Sequence, residues 1–496
     1  MQQQDMTQAS FPDPRTPALP GSVETTSGIV AAIVAVSVLV ALASTGVFSA
    51  EQMRIVQPLI AAAAVFSIFS YVLSVRAQAH LFGEIGFVYL ALAMAYTILP
   101  GVMILALDFY FPLMVDGQNF VDLAPSPVEL GTHFWRHVLF ISGVAAGYLF
   151  VRGGAVKSAA AEQRPAGESG PLITMWLVII GLSMIAIALL SAPVTTYLEN
   201  YTRFDHLGWI PRRLVYVCLI LKSGGYFVLL ALMFNEYRRY RTLILIVVPI
   251  IGIYESVNSF GSRIETLTIL LAVIGFFHFR VAPVSLKKGV MYLSALAVLF
   301  TGIGLFRASG YDLRDAQAAI TQEGGQQLAE FGAVYNTSFH LYSERAQRTL
   351  PPRPWEMFFY EVIAVIPFLD HTTNHPQYWY ARNYFPQAVV PPQTMGVIAD
   401  SALWGGELDL LVRSLLNGAL FAYLTRWFLR RRENWIAINI YVFCVATCVM
   451  TLKYSVLYQA VPIVQTLIPT LVITALMSRL FRPRDRGATA PAQSMS

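Results

Sequence analysis

Apolar segments about 20 residues long recur along most of this chain, and they restrict its possible folds more than any other feature. A helix of that length crosses a hydrocarbon core of ~30 Å, and a helix satisfies its backbone polar groups internally where no water is present. Only 13% of the 496 residues are charged, so these segments are seldom interrupted. We therefore predict an all-α fold, as a polytopic integral membrane protein.

Twelve segments have the length and composition of transmembrane helices. They begin near Gly28, Arg54, Ile85, His137, Leu172, Arg213, Thr242, Arg263, Gly289, Asp409, Trp435 and Val461. Residues 307–408 separate the ninth segment from the tenth, and they are too numerous and too polar for a simple connector. We predict a disordered tail at 1–27, membrane helices at 28–306, a large outer loop at 307–408, membrane helices at 409–481 and a second tail at 482–496.

The basic residues predict the orientation of the chain, because cytoplasmic loops carry an excess of lysine and arginine. Most of the basic loop residues fall on one side of a twelve-helix arrangement, namely Arg152, Lys157, Arg164, Arg238, Arg239, Arg241, Arg280, Lys287, Lys288 and the arginines at 430–432. Arg203, Arg212 and Arg213 depart from the pattern. Both tails should be cytoplasmic, and residues 307–408 should face the periplasm from a bacterial inner membrane.

The sequence lacks the motifs that are typical of several other classes of protein. The sequence has no glycine-rich phosphate loop and no His-Glu-x-x-His helix. Cys218, Cys444 and Cys448 lie within apolar segments, and two thiols without a third ligand make a poor metal site. The net charge of +5 is explained by the cytoplasmic loops and indicates no nucleic-acid partner. We predict no metal and no cofactor.

Arg263 follows a short stretch that can turn the chain, Ser-Phe-Gly-Ser at 259–262, between two apolar segments. One interpretation is a tight hairpin with a snorkelling arginine. The other is a fixed cation for a phosphate, since a planar, permanently charged guanidinium suits a diphosphate better than lysine does. The sequence leaves both open.

The predicted outer loop contains further candidates for binding anions and sugars. Arg345 and Arg348 would share one face of a helix, and residues 355–369 are apolar but too short to span, so they should lie at the membrane interface. The other candidates are Arg353, Asp370, His371, His375, Tyr378, Trp379, Tyr380 and Arg382. The same pattern also fits an amphipathic helix that binds lipid headgroups, because tyrosine and tryptophan are common at membrane interfaces.

Two motifs in this topology resemble a known family. Gly-Ser-Arg at 261–263 begins a middle helix, and Thr-Met-Gly-Val-Ile-Ala-Asp at 394–400 leads to Trp404-Gly405-Gly406 and to an apolar segment that contains Gly418. This arrangement is similar to the oligosaccharide repeat-unit polymerases of the Wzy O-antigen polymerase type. Asp400 stands where that family has glutamate. The motifs cover only 260–266 and 394–418, whereas the topology agrees along most of the chain.

The resemblance implies a metal-independent glycosyltransferase without a cofactor. Its partners would be an undecaprenyl-diphosphate-linked glycan donor and acceptor, membrane lipids, and a chain-length regulator and a flippase. Fixed cations would stabilise the departing diphosphate, and a carboxylate or histidine would activate the acceptor hydroxyl. The candidates for diphosphate and substrate binding are Arg263, Arg345, Arg348, Arg353, Arg382, Tyr378 and Tyr380, and those for the base are Asp400, His371 and His375.

Two other functions share parts of this pattern. An O-antigen ligase would use the same donor and a large outer loop but would transfer the glycan to a lipid A core. A transporter or flippase of lipid-linked oligosaccharide should line its helices with ionisable groups. Such groups are few within the apolar segments, chiefly Lys222, Glu255 and Lys453.

Arg263→Lys should lose most of the polymerising activity and Arg263→Ala nearly all of it, because lysine keeps the charge but lacks the bidentate fork. Loss of one contact to a developing diphosphate costs ~3 kcal/mol, or about a hundredfold in rate. Polysaccharide ladders from cells with matched amounts of each variant measure the effect. A wild-type ladder from Arg263→Ala would leave this residue only the anchoring role.

Overall fold

The structure is a computed structural model, and it describes residues 48–77, 81–107, 113–115, 118–121, 126–154, 169–192, 203–204, 206–258, 263–285, 288–289, 291, 329–366, 375–386, 395–432, 434–453 and 460–480. These residues are helical apart from turns, short connections and one antiparallel hairpin, in which β1 (Leu113–Val115) pairs with β2 (Gln118–Val121).

The helices of the described residues are numbered in chain order. They are α1 (Ala50–Ala77), α2 (Ile85–Leu107), α3 (Pro127–Arg152), α4 (Ser169–Leu190), α5 (Trp209–Asn235), α6 (Tyr237–Asn258), α7 (Arg263–Arg280), α8 (Ala329–Gln347), α9 (Tyr360–Ala364), α10 (Pro376–Tyr384), α11 (Val397–Leu403), α12 (Glu407–Arg430), α13 (Trp435–Thr447), α14 (Met450–Lys453), α15 (Ala460–Pro462) and α16 (Ile468–Leu480). Short 3-10 helices cover Leu81–Gly83 and Trp355–Phe359, and a π-helical turn over Ile463–Leu467 joins α15 to α16.

Seven helical segments among the described residues are long and apolar enough to cross a membrane: α1 to α5, α12 and the continuous segment Ala460–Leu480. The protein is therefore a polytopic helical membrane protein. Helices begin at or within about ten residues of ten of the twelve predicted starts. The segment predicted from Gly28 lies outside the described residues, as does nearly all of the one from Gly289. The number twelve and the division at residue 307 remain predictions.

Helix α3 is ten residues longer at its start than the apolar segment predicted from His137. Ser126 caps it, because its side chain accepts a hydrogen bond from the Glu129 backbone while the Glu129 carboxylate accepts one from the Ser126 backbone. Pro127 occupies the first helical position, where its missing N–H costs nothing. The first turns are polar, so the apolar run begins late although the helix does not.

Helices α3 and α12 run in the same direction and touch backbone to backbone. Each carries two small residues four apart, Gly143 with Gly147 and Ser414 with Gly418. A Cβ atom on Gly147 would lie 2.1 Å from the Leu415 carbonyl oxygen, and one on Gly418 would lie 2.1 Å from the Val144 carbonyl oxygen. Any larger side chain there would force the two helices apart.

A buried ion pair closes one end of this helix pair. Arg152 Nη2 lies 2.8 Å from Glu84 Oε1, both side chains are almost fully buried, and the Tyr148 hydroxyl donates to Glu84 Oε2 at 2.5 Å. Arg426 donates to the Val151 carbonyl oxygen at the same end. The positive-inside pattern predicts that this end is cytoplasmic. Glu84 therefore has its charge and its hydrogen bonds satisfied within the protein.

Two elements from the predicted outer loop pack between the spans at the opposite end. Tyr335 and Phe339 of α8 pack in a small core with Phe134 of α3. Every residue of α11 is buried, and Gly396 lies against the Leu452 backbone, where a Cβ atom would be 2.2 Å from the carbonyl oxygen. Part of residues 307–408 thus belongs to the helical bundle itself.

Gly147→Ala should destabilise the protein by roughly 1–3 kcal/mol, because the new methyl group collides with the Leu415 backbone. Gly181→Ala is the matched control, since that glycine also lies in a span but faces open space. Alanine should be neutral or slightly stabilising there. Unfolding of both variants in one detergent measures the difference. Equal stabilities would contradict the close contact between α3 and α12.

Candidate functional site

Charged side chains gather where α3, α8, α11 and the start of α12 meet. We call this group the arginine cluster, and its members are Arg136, Arg345, Arg353, Arg413, Asp400, Glu407 and Asp409. It lies at the end of α3 and α12 opposite the Glu84–Arg152 ion pair. On the predicted topology, this is the outer side of the membrane.

Asp400 is 5% exposed and is held by an arginine from the next helix. Arg413 Nη1 lies 2.5 Å from Asp400 Oδ2, and Arg413 Nε lies 2.7 Å from Asp409 Oδ2. Burial raises the pKa of Asp400 above its ordinary value, while Arg413 opposes the rise and Asp409 adds to it. A carboxylate whose pKa is raised is a stronger base than an ordinary aspartate.

Arg345 is anchored by backbone carbonyl groups at the end of α11. Its Nη1 donates to the carbonyl oxygens of Ala402 at 2.9 Å and Trp404 at 3.0 Å. Gly406 has a φ of +65°, and a Cβ atom there would lie 3.0 Å from Arg345 Nε. The two hydrogens on Nη1 are used by these carbonyls. Nε and Nη2 make no hydrogen bond to a described residue, so they can bind an anion.

Arg353 approaches the same place from the segment before the 3-10 helix. Its guanidinium carbon lies 5.4 Å from the centre of the Trp404 ring, and its Nη1 is buried without a hydrogen-bond partner among the described residues. Burial and the positive charge of Arg345 lower the pKa of Arg353 below its ordinary value. Two neighbouring cations with unused donors favour a bound anion such as a phosphate.

Arg136 completes the cluster, although the sequence analysis did not single it out. Its Nε donates to Glu407 Oε1 at 2.9 Å, and its guanidinium carbon lies 3.9 Å from the centre of the Tyr342 ring. The Tyr342 hydroxyl lies 3.0 Å from Ser401 Oγ. Burial raises the pKa of Tyr342 to about 12, so the hydroxyl stays protonated. Arg136 thereby connects α3 to both α8 and α12.

Arg348 does not share a helix face with Arg345, contrary to the sequence prediction. Helix α8 ends at Gln347, and Arg348 follows it with a φ of +61°. A left-handed residue of this kind ends a helix. Arg348 is exposed beyond the helix, so the structure brings Arg345, Arg353 and Asp400 together but leaves Arg348 outside the group.

The other predicted residues on α10 lie in a neighbouring aromatic group. His375 caps α10, where its Nδ1 accepts a hydrogen bond from the Gln377 backbone at 3.0 Å. Tyr380 is buried with its hydroxyl 2.8 Å from His340 Nδ1. Tyr378 and Arg382 are exposed, and Arg382 Nε donates to the Tyr378 carbonyl oxygen at 3.3 Å.

Three predicted residues cannot be placed in this arrangement. Asp370 and His371 lie outside the described residues, and Arg263 is described only as the first residue of α7, without its side chain.

No family model matches the chain, and no curated protein and no solved structure is similar to it. The family resemblance therefore rests on the topology and on the motifs at 260–266 and 394–418.

Arg413→Gln should destabilise the protein by ~3–5 kcal/mol, because it leaves Asp400 charged, buried and without its arginine. Asp400→Asn should cost less, since asparagine is neutral. Arg239→Gln is the control, because it removes an exposed pair with Glu236 that contributes little. The free energy of unfolding in one detergent compares the three. An Arg413→Gln variant as stable as Arg239→Gln would show that the pair does not hold α11.

Proposed function

We propose that the chain is a membrane glycosyltransferase that polymerises undecaprenyl-diphosphate-linked repeat units of a surface polysaccharide at the periplasmic face of a bacterial inner membrane. The observation that carries the proposal is the pair of guanidinium groups of Arg345 and Arg353 beside Trp404, with donor atoms left for an anion. Trp404 belongs to residues 394–418, one of the two motifs that resemble the polymerase family.

A diphosphate leaving group suits this pair of cations. Negative charge grows on the diphosphate oxygen as the bond to the sugar breaks, and preorganised donors stabilise that charge most where water is excluded. Arg345 is held in place by the Ala402 and Trp404 carbonyl oxygens, so little reorganisation is needed when the anion arrives. Arg353 supplies a buried N–H that lacks a protein partner among the described residues.

Asp400 is the candidate base of the described residues. In the proposed step, the acceptor hydroxyl gives its proton to the Asp400 carboxylate, and its oxygen forms a bond to the anomeric carbon. The bond from that carbon to the diphosphate oxygen breaks, and undecaprenyl diphosphate leaves as an anion. Burial raises the pKa of Asp400 and thereby favours proton uptake, while Arg413 holds the carboxylate in position.

The apolar surface beside Arg353 suits a substrate with a lipid chain. Trp355, Phe358 and Phe359 are 67%, 49% and 47% exposed, and all three lie in the 3-10 helix Trp355–Phe359 that comes soon after Arg353. Aromatic side chains of this kind favour the membrane interface. A polyprenyl chain could remain in the bilayer beside them while its diphosphate reaches Arg353. The shared location of apolar rings and cations supports an amphipathic phosphate substrate.

The ligase and the flippase remain the alternative functions, and gene deletion separates them from the polymerase. Loss of a polymerase leaves single repeat units at the cell surface. Loss of a ligase strands long chains on the lipid carrier, and loss of a flippase traps repeat units inside the cell. Either of the last two results would overturn the proposal.

Arg345→Lys should shorten the polysaccharide ladder strongly, because a lysine that binds the two carbonyl oxygens has one N–H left and cannot offer an anion the several donors of a guanidinium group. Arg345→Ala and Asp400→Asn should abolish polymer, with a loss of about a hundredfold or more in rate for a lost transition-state contact. Ladders are compared at matched protein levels in the membrane. The exposed arginine on α6, in Arg239→Lys, is the control and should leave the ladder unchanged.

A ladder of normal length from Asp400→Asn would remove Asp400 from the reaction. Normal ladders from both Arg345→Ala and Arg353→Ala would remove the anion site on which the proposal rests.

A further inference from the structure

Two buried histidines on α3 flank Arg136 of the arginine cluster along the helix. His133 and His137 are one helical turn apart, with ring centres separated by 5.1 Å, and their exposed fractions are 0% and 4%. Thr97 of α2 contacts one ring, and Ser338 of α8 contacts the other. Buried polar groups at membrane depth are expensive, so a specific partner is expected for each.

The hydroxyl partners determine where the imidazole protons lie. The Ser338 hydroxyl donates to the Tyr335 carbonyl oxygen at 2.8 Å, so its contact of 3.1 Å with His133 requires Nε2 to be the donor. The Thr97 hydroxyl donates to the Ala93 carbonyl oxygen at 2.9 Å. The contact of 3.1 Å with His137 therefore requires Nδ1 to be the donor.

Each neutral imidazole has one donor and one acceptor nitrogen, so the two remaining nitrogens carry lone pairs. These are His133 Nδ1 and His137 Nε2, and both are buried without a hydrogen-bond partner among the described residues. A buried acceptor without a donor is unfavourable. Two such acceptors on neighbouring rings indicate that a group outside the described protein atoms donates to them.

The electrostatic surroundings favour a neutral donor over a cation. Arg136 stands between the two histidines on α3, and its positive charge disfavours a proton or a metal ion nearby. The other titratable side chains against the rings are Tyr335, whose ring centre is 4.7 Å from that of His133, and Tyr342, at 6.5 Å. Neither imidazole contacts a carboxylate of the described residues that would balance an added charge.

We infer that His133 and His137 form a buried site for a hydroxyl group, which donates to one or both of the free imidazole nitrogens. Water and an alcohol of a bound glycan share this chemistry. The site lies next to the Tyr342 ring on which Arg136 rests, so it borders the arginine cluster. The glycan alternative rests on the proposed function, whereas the water alternative does not.

Solid-state NMR of the full chain in lipid bilayers, with histidine as the labelled ¹⁵N source, tests the site directly. The signals of the two rings are assigned by their loss in His133→Phe and His137→Phe. Ser338→Ala and Thr97→Val provide a second assignment, because each removes the hydroxyl partner of one ring only. Trp135→Phe is the matched control on the lipid-exposed side of α3 and should change neither ring.

Each ring should show one protonated nitrogen, and on at least one ring the other nitrogen should be shifted from its free position by a hydrogen bond. A shift present in the purified chain alone identifies water, and one that appears only with added lipid-linked acceptor identifies an alcohol. In the second case His133→Phe should also raise the acceptor KM by about tenfold, as expected for one lost hydrogen bond. Unshifted acceptor nitrogens on both rings under both conditions, or two protonated nitrogens on either ring, would overturn the inference whether or not the chain polymerises glycans.

Discussion

The backbone contact between α3 and α12 brings together the charged residues that the two helices carry at both ends of the pair. Gly143, Gly147 and Gly418 remove the side chains that would otherwise separate the two helices, and close packing replaces the hydrophobic driving force that is absent within a bilayer. Because the helices are parallel and in contact, the first turn of α12 lies level with Arg136, nine residues after the start of α3. Arg136 can therefore reach Glu407.

The two ends of this helix pair differ in how completely their charged side chains are hydrogen-bonded. At the end predicted to be cytoplasmic, Glu84 receives three hydrogen bonds from Arg152 and one from Tyr148, so its carboxylate is fully engaged. At the opposite end, Arg345 uses only Nη1 to bind carbonyl oxygens. Arg353 has a buried Nη1 without a hydrogen-bond partner among the described residues. A closed ion pair stabilises a fold once formed, whereas unused donors bind ligands. The contrast supports the proposal of an anion site at the second end.

Sequence periodicity predicted the elements that depend on local composition and missed those that depend on distant partners. The starts of α2 at Ile85 and α7 at Arg263 agree with the prediction, because apolar runs begin there. The early start of α3 was missed, although Ser-Pro-Val-Glu at 126–129 is a capping-box signature. Helix α8 is too polar to be recognised as part of a bundle from its own sequence, since its burial depends on contacts with α2 and α3.

The residues of the candidate site, like the helices, were predicted only in part from the sequence. Asp400, Arg345 and Arg353 were singled out from motifs and residue types, and the structure brings them together. Arg413 and Arg136 were not, since their ion pairs with Asp400 and Glu407 become visible only when separate helices are packed. The Gly-x-x-x-Gly spacing at 143–147 was the available signal that α3 has a close neighbour.

Three side chains of α3 that carry ring or guanidinium nitrogens face other protein. His133, Arg136 and His137 recur at three- and four-residue intervals, so they share one helix face, while Trp135 and Phe150 are exposed elsewhere on the helix. Polar groups in a membrane helix are costly unless they face other protein or water. Their restriction to the face that meets α8 and α12 indicates that this interface was built for more than packing. Helix α8 meets this face through Ser338 at His133 and through Tyr342 at Arg136, and it thereby joins the polar surroundings of the histidines to the arginine cluster.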